Sequence, residues 1–409
     1  MKNVLFVTES YEIAPSPNGN IVKILASQMQ KEGFCVSVLA LKNQFIKKDA
    51  DSEGIKVFRV GTYLEWKLTY LKIPKFIKSV LIRIVKGLKL LFTPMHPLTS
   101  PLVLKNLYRR GKKIVKNYKI DVVVGVYRDA ETAETAYKLK KKFPNLKLAI
   151  YTLDAISGGV CSNKFVSSKM HNKRCKKLEE KFVRACDLYL PLVSHKNVYE
   201  GRFKGFEDKI KYVDLPNLLL NDYDYGKESN EIINFTFTGM MTETNADCSY
   251  FLSVFEKLLE ITPCVFNLYG GISDSILKKI KEKGLESKVI FYGNRTQEEL
   301  VNIRKQADVL CTFGNYHPCG VPCKIFEYIG TKKPILAFYK IDDDAGKVYL
   351  ESYSKSIILK EQEGCEEEHT RFILNKLAEI KNVIVTNQEI EKIYYKNTPK
   401  EFIDLIKEI

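Results

Sequence analysis

The chain has 409 residues, of which 45% are hydrophobic and 28% are charged, and its formal net charge at pH 7 is +16. This composition belongs to a globular protein and excludes the disordered and fibrous classes, while the length favours two domains or three. No run of 18 uncharged apolar residues occurs in the sequence, so we expect no ordinary transmembrane helix.

The amino terminus and the cysteines indicate a cellular compartment. The opening residues, MKNVLFVTES, have a short apolar run without the long apolar core and small-residue cleavage site of a secretory signal. The ten cysteines form no C-x-x-C pair, a distribution that favours reduced thiols over a disulfide framework. We therefore expect a cytoplasmic protein.

The excess positive charge lies mainly in one stretch of the chain. Residues 66–119 contain 14 Lys or Arg and no Asp or Glu. A local field of this sign requires an anionic partner, and nucleic acid, a phospholipid surface and a phosphorylated substrate all satisfy that requirement.

Strands and helices alternate through the first half of the sequence. Apolar, β-branched runs predict buried strands at 4–10, 36–41, 56–60, 121–127, 146–154 and 188–193. Helical periodicity predicts helices between several of them, at 20–32, 131–142 and 171–185. Continuous apolar strands separated by helices are typical of a parallel sheet with both faces covered.

The same alternation begins again in the second half. Strands are predicted at 234–239, 265–270, 289–293, 308–314 and 334–339, and four of them end in glycine. Helices are predicted at 245–260, 273–284, 297–306 and 322–331. Thr296 and Glu299 predict a capping box at the start of the third of these helices.

The two alternating regions predict two domains. Residues 1–215 form an N-terminal Rossmann-like domain with a basic insertion at about 66–119, and the polar, turn-rich residues 216–231 form a linker. Residues 232–385 form a second Rossmann-like domain, and residues 386–409 form a helical segment that could return to the first domain. The predicted fold class is α/β, with two doubly wound domains facing a cleft and ligands beyond the carboxyl ends of the strands.

Glycines at the ends of two predicted strands are candidate ligand contacts. Gly239 ends a strand just before a helix, where a glycine lets a ligand approach the backbone and free helix amides face a phosphate. Gly293 and Arg295 repeat this arrangement, and Arg295 could hold a diphosphate with two hydrogen bonds. The alternative is that these turns only connect elements and that Arg295 is a solvated loop residue.

The segment PCGVPCKIFEYIGTKKP, residues 318–334, places charged residues on a short apolar helix. A helix that begins at about residue 322 would put Lys324, Glu327 and Tyr328 on one face. A lysine near a helix start opposes the macrodipole, and a bound anion would explain it, while Glu327 could accept hydrogen bonds from the hydroxyls of a ribose. The alternative is an internal Lys324–Glu327 ion pair on the surface.

The ordered segments between about 234 and 340 resemble the C-terminal domain of retaining glycosyltransferases of the group 1 type (family 4, GT-B fold). Two of these segments are VIFYGNRTQEEL and GVPCKIFEYIGTKKPIL. In the first half, residues 10–40, YTLDAISGG (151–159) and ACDLYLPLVS (185–194) are similar to segments of the family's N-terminal domain. The resemblance implies a GT-B fold and transfer of a sugar, with retention, from a nucleoside-diphosphate sugar.

The resemblance also implies roles for particular residues. Glu327 matches the family's second glutamate, which is expected to bind the ribose, and Lys324 belongs to a Pro-x-Lys-x-x-Glu variant of this helix. Gly19 and Asn20 match the N-terminal loop that lies beneath the diphosphate and the acceptor.

Two features of the family are missing from this sequence. The family's first glutamate would fall on Cys319 or, with two extra residues allowed, on His317, and neither side chain can act as that carboxylate does. The basic pair that follows the first strand of the second domain is absent, because residues 240–245 read MMTETN. Arg295 and Lys324 are therefore the expected cations for the diphosphate.

The reacting sugar would lie near the few titratable groups at this site. Asp154 and His317 are expected nearest to it, and Lys324 would stabilise the departing phosphate. Gly320 and Val321 are expected among the residues that bind the donor. The resemblance implies no cofactor and no essential metal.

Two places in the sequence contain residue types that can bind a metal ion. His317, Cys319 and Cys323 are three soft ligand types, but no fourth ligand has zinc-like spacing. The run DDD at 342–344 imitates an Asp-x-Asp metal motif, yet it follows a predicted strand of a doubly wound domain and is expected to be a solvated loop.

A basic amphipathic helix is predicted at 75–92. Its cations lie within about 140° of arc at 100° per residue: Lys75, Lys78, Arg83, Lys86 and Lys89. Most of its apolar residues, including Phe76, Val80 and Ile84, occupy the other side, a pattern that suits the surface of an anionic bilayer. In the alternative, the apolar side packs on the N-terminal sheet and the lysines point into water.

The sequence therefore predicts a glycosyltransferase at the inner face of the cell membrane, with a lipid-linked or growing glycan as acceptor, as in bacterial surface polysaccharide synthesis. One alternative is a non-catalytic GT-B protein that binds a nucleotide sugar or a glycan. A nucleic-acid-binding protein is the other alternative, and we do not expect it, because residues 75–92 lack aromatic interleaving and a recognition motif.

Overall fold

The computed structural model describes most of the chain. The described residues are 2–11, 17–42, 48–52, 54–61, 63–69, 71–157, 165–218, 220, 231–314, 316 and 321–409. They form two compact units: a first unit, Met1–Pro216 with Pro399–Ile409, and a second unit, Asn217–Thr398.

The first unit is built on a mainly parallel sheet. Its described strands are β1 (Asn3–Val7), β2 (Cys35–Leu41), β3 (Ala50–Ser52), β4 (Ile55–Val60), β5 (Val122–Tyr127), β6 (Lys147–Thr152) and β7 (Leu188–Pro191). These seven strands pair in the order β3-β4-β2-β1-β5-β6-β7, and β3 with β4 is the antiparallel pair. Strand β5, a nearly continuous run of valines, is buried along its whole length, as expected for a strand covered on both faces.

Helices connect and cover these strands. The described α-helices are α1 (Pro17–Lys31), α2 (Leu64–Thr69), α3 (Lys75–Leu88), α4 (Pro101–Asn117), α5 (Ala130–Lys142), α6 (Ser168–Ala185) and α7 (Lys196–Tyr199). Helix α4 begins at a defined cap, because the Ser100 hydroxyl accepts a hydrogen bond from the Val103 N–H. The Glu131 carboxylate at the start of α5 accepts hydrogen bonds from the N–H groups of Thr99 and Ser100 and so fixes this cap to α5.

The second unit repeats the architecture with a fully parallel sheet. Its described strands are β8 (Ile233–Thr238), β9 (Cys264–Tyr269), β10 (Val289–Gly293), β11 (Val309–Phe313), β12 (Ile335–Tyr339) and β13 (Ser356–Lys360). They pair in the order β10-β9-β8-β11-β12-β13. The described α-helices are α8 (Ser249–Ile261), α9 (Asp274–Glu282), α10 (Gln297–Gln306), α11 (Lys324–Ile329), α12 (Ala345–Glu351), α13 (Glu366–Ile380) and α14 (Asn387–Tyr394). Phenylalanine rings fill its core, and Phe251 meets Phe266 edge to face at 5.0 Å.

The last helix, α15 (Pro399–Glu408), belongs to the first unit. The buried ring of Phe402 stacks on Phe6 of β1, with centroids 6.2 Å apart, and lies 5.2 Å from the ring of Tyr151. The Lys2 ammonium donates to the backbone carbonyl of Lys407, at 2.6 Å. Helix α14, by contrast, belongs to the second unit, so the segment predicted at 386–409 is divided between the two units.

Some predicted boundaries differ from the structure. Strand β1 ends at Val7 rather than at residue 10, which leaves Glu9 in the loop beyond the strand. The helix predicted at 75–92 ends as α3 at Leu88 and continues as a 3₁₀ helix, Lys89–Met95. Pro94 lies within this 3₁₀ segment, and because it has no N–H to donate to the carbonyl of residue 90, a regular α-helix could not continue to residue 94. Most of the predicted linker, 216–231, lies outside the described residues.

No helix within the described residues is both long enough and apolar enough to cross a membrane.

Candidate functional site

A short helix of the second unit is fixed against the end of strand β8. The hydroxyl of Tyr328, a buried residue of α11, accepts a hydrogen bond from the Thr238 N–H at 2.9 Å and lies 3.1 Å from the Thr238 hydroxyl. Tyr328, expected to share a ligand-facing surface with Lys324 and Glu327, instead anchors the helix. The anchor holds Lys324 and Glu327 at the carboxyl edge of the sheet, where parallel α/β sheets bind ligands.

Lys324 lies in surroundings that disfavour its charge. Its Nζ atom lies over the Phe237 ring, 3.6 Å from the centroid, a cation–π contact that favours the charged form, and a Cβ atom on Gly239 would lie 3.1 Å from the same nitrogen. Burial acts in the opposite direction. Desolvation lowers the pKa of Lys324 to about 7, although Glu327 raises it and Arg304 lowers it further. A bound anion would restore the charged form.

Glu327 forms an ion pair with a residue that we did not expect at the site. Its carboxylate lies 2.6 Å from the guanidinium of Arg304, whose Nε donates to the Thr238 hydroxyl at 3.3 Å. The Lys324–Glu327 surface pair considered above is therefore not the pairing that the structure shows. Because Arg304 is buried, the pair fixes the position of Glu327 at the end of β8.

A sequence signal for Arg304 exists in helix α10. Leu300, Ile303, Arg304 and Ala307 have the i, i+3, i+4, i+7 spacing of an apolar face. An arginine at such a position either interrupts the apolar face or is a buried cation with a carboxylate partner. In the structure Arg304 is buried and pairs with the carboxylate of Glu327.

Glycines meet at the carboxyl ends of β8, β9 and β10. The Gly239 N–H donates to Tyr269 O at 2.8 Å, and the Gly270 N–H donates to Gly293 O at 2.9 Å. Gly270 has a φ of 127°, and a Cβ atom there would lie 1.9 Å from the Gly239 carbonyl oxygen, so no other residue fits. Gly239 has a φ of 141°, a conformation that favours glycine, and the Lys324 ammonium lies next to its backbone.

A pocket of about 300 Å³ adjoins these strand ends. Its walls include Arg295 and the stacked rings of Tyr269 and Tyr292. The centroids of these rings lie 4.7 Å apart and their planes are inclined by 7°. The Arg295 guanidinium donates to the carbonyl of Asn294, so the side chain is folded back on its own loop in this structure. The pocket thus combines a flat aromatic wall with a cation.

The loop that precedes α11 is described in part. His317, Cys319 and Gly320 lie outside the described residues. Val321 is half-buried, three residues before the first residue of the helix. Cys323 is the first residue to flank the helix, and its side chain forms no capping hydrogen bond.

Charged residues follow three neighbouring strands of the first unit. Glu9 follows β1, Arg128 follows β5 and Asp154 follows β6, which are adjacent in the sheet. The carboxylate of Glu9, a buried residue, contacts the Arg128 guanidinium. Desolvation raises the pKa of Glu9 to about 7, with Asp129 and Asp154 raising it and Arg128 lowering it.

Asp154, a predicted site residue, is exposed at the edge of this group. Partial desolvation of its carboxyl group raises its pKa, Arg128 lowers it, and Asp129 raises it. Glu9 was not identified from the sequence, because the strand was predicted to extend to residue 10 and to bury it as an ordinary strand position. Within this group Glu9, with a pKa of about 7, can exchange a proton near neutral pH.

Gly19 and Asn20 lie in the first turn and a half of α1. Gly19 is buried, and a Cβ atom there would lie 3.1 Å from the Ser10 hydroxyl oxygen, so the helix start packs closely on the loop that carries Glu9. Asn20 is half-buried beside it.

The basic helix α3 exposes its apolar side. Phe76 is 78% exposed and Ile84 is 52% exposed, and Ile77 and Val80 are also exposed. The alternative in which this side packs on the sheet is therefore wrong. Lys75 and Arg83 are exposed and Lys78 is half-buried, while the side chains of Lys86 and Lys89 lie outside the described part of the structure.

The aspartate run has local structural partners. The Asp344 carboxylate caps α12 by accepting from the N–H groups of Gly346 and Lys347, and Asp342 pairs with Lys360 at 2.7 Å. Among the described residues, no group of three His, Cys, Asp or Glu side chains is arranged to hold a metal ion.

Comparison with known proteins identifies the fold. No family model and no curated protein match the chain. A glycosyltransferase from Rickettsia africae matches with a TM-score of 0.65 at 13% identity, over 100% of this chain and 97% of that one. A trehalose-6-phosphate protein from E. coli bound with UDP-2-fluoro glucose gives a TM-score of 0.57 at 10% identity, over 100% and 98%. A glycosyltransferase involved in lipopolysaccharide biosynthesis gives a TM-score of 0.55 at 13% identity, over 98% of this chain and 99% of that one.

These similarities confirm the predicted fold class. The chain has the α/β GT-B fold, with two Rossmann-like domains built on parallel sheets. At identities of 10% to 13%, such a likeness establishes the fold, whereas a shared activity depends on the residues at the site.

Proposed function

We propose that this chain is a glycosyltransferase (EC 2.4, hexosyltransferase type) that transfers a sugar from a nucleoside-diphosphate sugar to a lipid-linked or growing glycan acceptor. The acceptor would belong to a bacterial surface polysaccharide, such as a capsule, an O-antigen or an exopolysaccharide. Support comes from similar folds, which include a glycosyltransferase involved in lipopolysaccharide biosynthesis and a protein bound with a UDP-sugar.

The arrangement at the end of β8 carries the proposal. Lys324 is held beside the backbone of Gly239 with its charge disfavoured, so a diphosphate at this place would be bound strongly. We assign Glu327 to the vicinal hydroxyls of the ribose. A carboxylate has acceptor sites left after one ion pair, and the pair with Arg304 orients it.

The neighbouring pocket suits the rest of the nucleotide. We assign the stacked rings of Tyr269 and Tyr292 to the base, because an aromatic wall can stack on any base. Arg295 would turn from its own loop towards the diphosphate. Gly293, Gly320 and Val321 complete the donor side of the proposal, and Gly19 and Asn20 are assigned to the diphosphate and the acceptor.

The proposed reaction needs no resident metal. The bond between the anomeric carbon and the diphosphate oxygen breaks, a bond from the acceptor hydroxyl to that carbon forms, and the hydroxyl proton is released. Lys324 and Arg295 would neutralise the departing diphosphate. The resemblance to family 4 favours retention of the anomeric configuration. Asp154 and His317 are assigned near the reacting sugar.

We also propose that the protein is cytoplasmic and lies on the inner face of the cell membrane through helix α3. The helix exposes apolar rings such as Phe76 next to cations such as Lys75 and Arg83. An exposed apolar side flanked by positive charge fits an anionic bilayer surface, where each cation near the surface contributes about 1 kcal/mol. A lipid-linked acceptor would be available there.

The test is binding and turnover of nucleotide sugars by the purified full-length protein. Glu327→Gln should weaken the affinity for the donor at least tenfold, since two hydrogen bonds to a charged acceptor contribute about 3 kcal/mol. Glu282→Gln, on the exposed side of α9, is the matched control and should change nothing. Circular dichroism of each variant verifies the fold.

The outcomes separate the proposal from its alternative. Binding with release of the sugar, to water or to an acceptor, supports a transferase. Binding without any turnover, in the presence of membrane extracts that contain glycan acceptors, would make the chain a non-catalytic sugar-nucleotide binder. If no nucleotide sugar binds, the proposal fails.

A further inference from the structure

A basic groove lies on helix α4 in the first unit. Its volume is about 760 Å³, and its lining includes the end of β4 and the end of α5. The lining residues are Val60, Gly61, Asn106, Arg109, Arg110, Lys112, Lys113, Lys116, Lys142 and Phe143. Six of these ten side chains are cationic and none is acidic, so the groove has a strongly positive potential.

Two of the six cations, Arg110 and Lys112, have partners within the protein. Arg110 forms an ion pair with Asp49 and lies over the ring of Phe58. Lys112 lies over the ring of Tyr108, with its Nζ 4.9 Å from the centroid. No carboxylate in the described part of the chain pairs with the four other cations of the groove: Arg109, Lys113, Lys116 and Lys142.

Helix electrostatics accounts for some of these four cations. Lys116 and Lys142 lie in the last turns of α4 and α5, where the helix dipole favours positive charge. Arg109 and Lys113 lie further from the carboxyl end of α4, and together with Lys116 they follow an i, i+4, i+7 spacing. Like charges at such spacing repel one another on one helix face and are destabilising. A bound anion would remove this repulsion.

The dimensions of the groove limit the size of that anion. The lining of α4 extends from Asn106 to Lys116, which spans roughly 15 Å at about 1.5 Å per residue. The volume would hold about 25 water molecules at about 30 Å³ each, which is more than one phosphate group occupies. Val60 and Phe143 add an apolar portion to a lining that is otherwise mainly cationic.

We propose that this groove is a second anion-binding site, which takes a ligand with two or more phosphate groups. Two sources share this chemistry, a soluble oligophosphate and a phosphorylated lipid headgroup. The groove belongs to the first unit, whereas the group around Lys324 belongs to the second unit. The test of this groove is therefore independent of the donor site proposed above.

Tripolyphosphate is the probe, and titration calorimetry of the full-length protein is the measurement. The groove variant is Arg109→Gln, Lys113→Gln, Lys116→Gln. The control variant is Lys169→Gln, Lys173→Gln, Lys176→Gln, which removes three exposed cations with the same i, i+4, i+7 spacing from α6, outside the groove. We expect the groove variant to lose at least tenfold in affinity, and the control variant to lose less than twofold.

The groove variant should keep its melting temperature, because exposed side chains are replaced and like-charge repulsion is relieved. It should also keep its affinity for nucleotide sugars. Equal losses in both variants would overturn the proposal, since only general charge would then be involved. Competition between tripolyphosphate and UDP, or no binding of tripolyphosphate or of anionic vesicles by the wild type, would overturn it as well.

Vesicles distinguish the two sources. Vesicles of phosphatidylglycerol and phosphatidylcholine are sedimented with the wild type, the groove variant and a variant of α3 that lacks its cations. If the groove binds a lipid headgroup, tripolyphosphate should release the wild-type protein from the vesicles. The groove variant should then bind vesicles less well than the control variant. If vesicle binding is the same in the groove and control variants while tripolyphosphate binding is lost in the groove variant, the ligand is a soluble oligophosphate.

Discussion

Lys324 connects nucleotide binding to protonation. Desolvation lowers its pKa to about 7, so at pH 8 most free protein carries the neutral amine. A bound diphosphate favours the ammonium form and raises this pKa. Binding of a nucleotide sugar should therefore take up close to one proton at pH 8 and almost none at pH 6.

The same linkage fixes the pH dependence of affinity. Above pH 7 the dissociation constant should rise by up to about tenfold per pH unit, until the pKa of the complex is reached. Calorimetry at pH 8 in two buffers with different ionisation enthalpies measures the uptake. Lys324→Met should bind weakly and without proton uptake. If uptake persists in this variant, another group carries the proton.

Single residues also show how far the sequence predicts the site. Lys324 and Glu327 could be located because their segment has a recognisable order of residues. The spacing of α10 indicates that Arg304 is a buried cation, but the sequence does not give its partner, Glu327. Glu9 could not be located, because it acts through Arg128, which is distant in the chain. Sequence spacing identifies residues on one element, whereas a site assembled from several elements depends on how the strands are ordered.

At the level of elements, helix α15 should matter to the first unit in spite of its position at the end of the chain. Phe402 is buried between Phe6 and Tyr151, so Phe402→Ala removes a core ring. We expect this substitution to reduce the free energy of unfolding of the first unit by about 3–5 kcal/mol. Urea unfolding, followed by the hydrogen exchange of β1 and of β8 separately, measures the effect.

The matched control lies on the same helix. Lys407→Ala removes an exposed ion pair with Glu32 and should cost less than about 1 kcal/mol. Protection of β8 should be unchanged in both variants. Equal loss of protection in β1 and β8 after Phe402→Ala would mean that the two units unfold as one, and would contradict the assignment of α15 to the first unit alone.

Elements were predictable in proportion to the strength of their pattern. Strands such as β5 and β10 were located to within a residue, because apolar runs bounded by polar or glycine residues have few other uses. Strand β13, SIILK, was missed, since it is short and ends in lysine. Helix α11 has only six residues and is held by Tyr328 rather than by its own periodicity.

At the level of the whole molecule, we expect the cations of α3 to determine membrane binding. The variant replaces all five by glutamine: Lys75, Lys78, Arg83, Lys86 and Lys89. It should no longer sediment with anionic vesicles, yet it should hydrolyse a soluble donor as the wild type does. Wild-type binding should weaken as salt rises, because the surface potential decays within about 8 Å at physiological ionic strength.

The control removes the same number of charges from other helices of the first unit: Lys141, Lys169, Lys173, Lys176 and Lys177. These residues are exposed, and this variant should still bind vesicles. If the α3 variant also still binds, the exposed rings of Phe76 and Ile84 suffice as an anchor. If the wild type binds duplex DNA but no vesicles, α3 does not serve a membrane.

The sequence also predicted the number of domains, because the alternation of strands and helices starts twice. It also offered the return of residues 386–409 to the first domain, and in the structure α15 belongs to the first unit whereas α14 belongs to the second, Asn217–Thr398. Helix α15 has an amphipathic pattern that would suit either unit. The packing of Phe402 against Phe6 attaches α15 to the first unit, and these two residues are far apart in the chain.

The return of α15 to the first unit has a consequence for biosynthesis. Strand β1 leaves the ribosome first, whereas the ring that covers Phe6 is made nearly 400 residues later. At roughly 5–20 residues per second, translation separates the two by about 20–80 s. The second unit, Asn217–Thr398, is one continuous segment of the chain, so its strands are all available before α15 is made. The unit that begins the chain is the last to be completed.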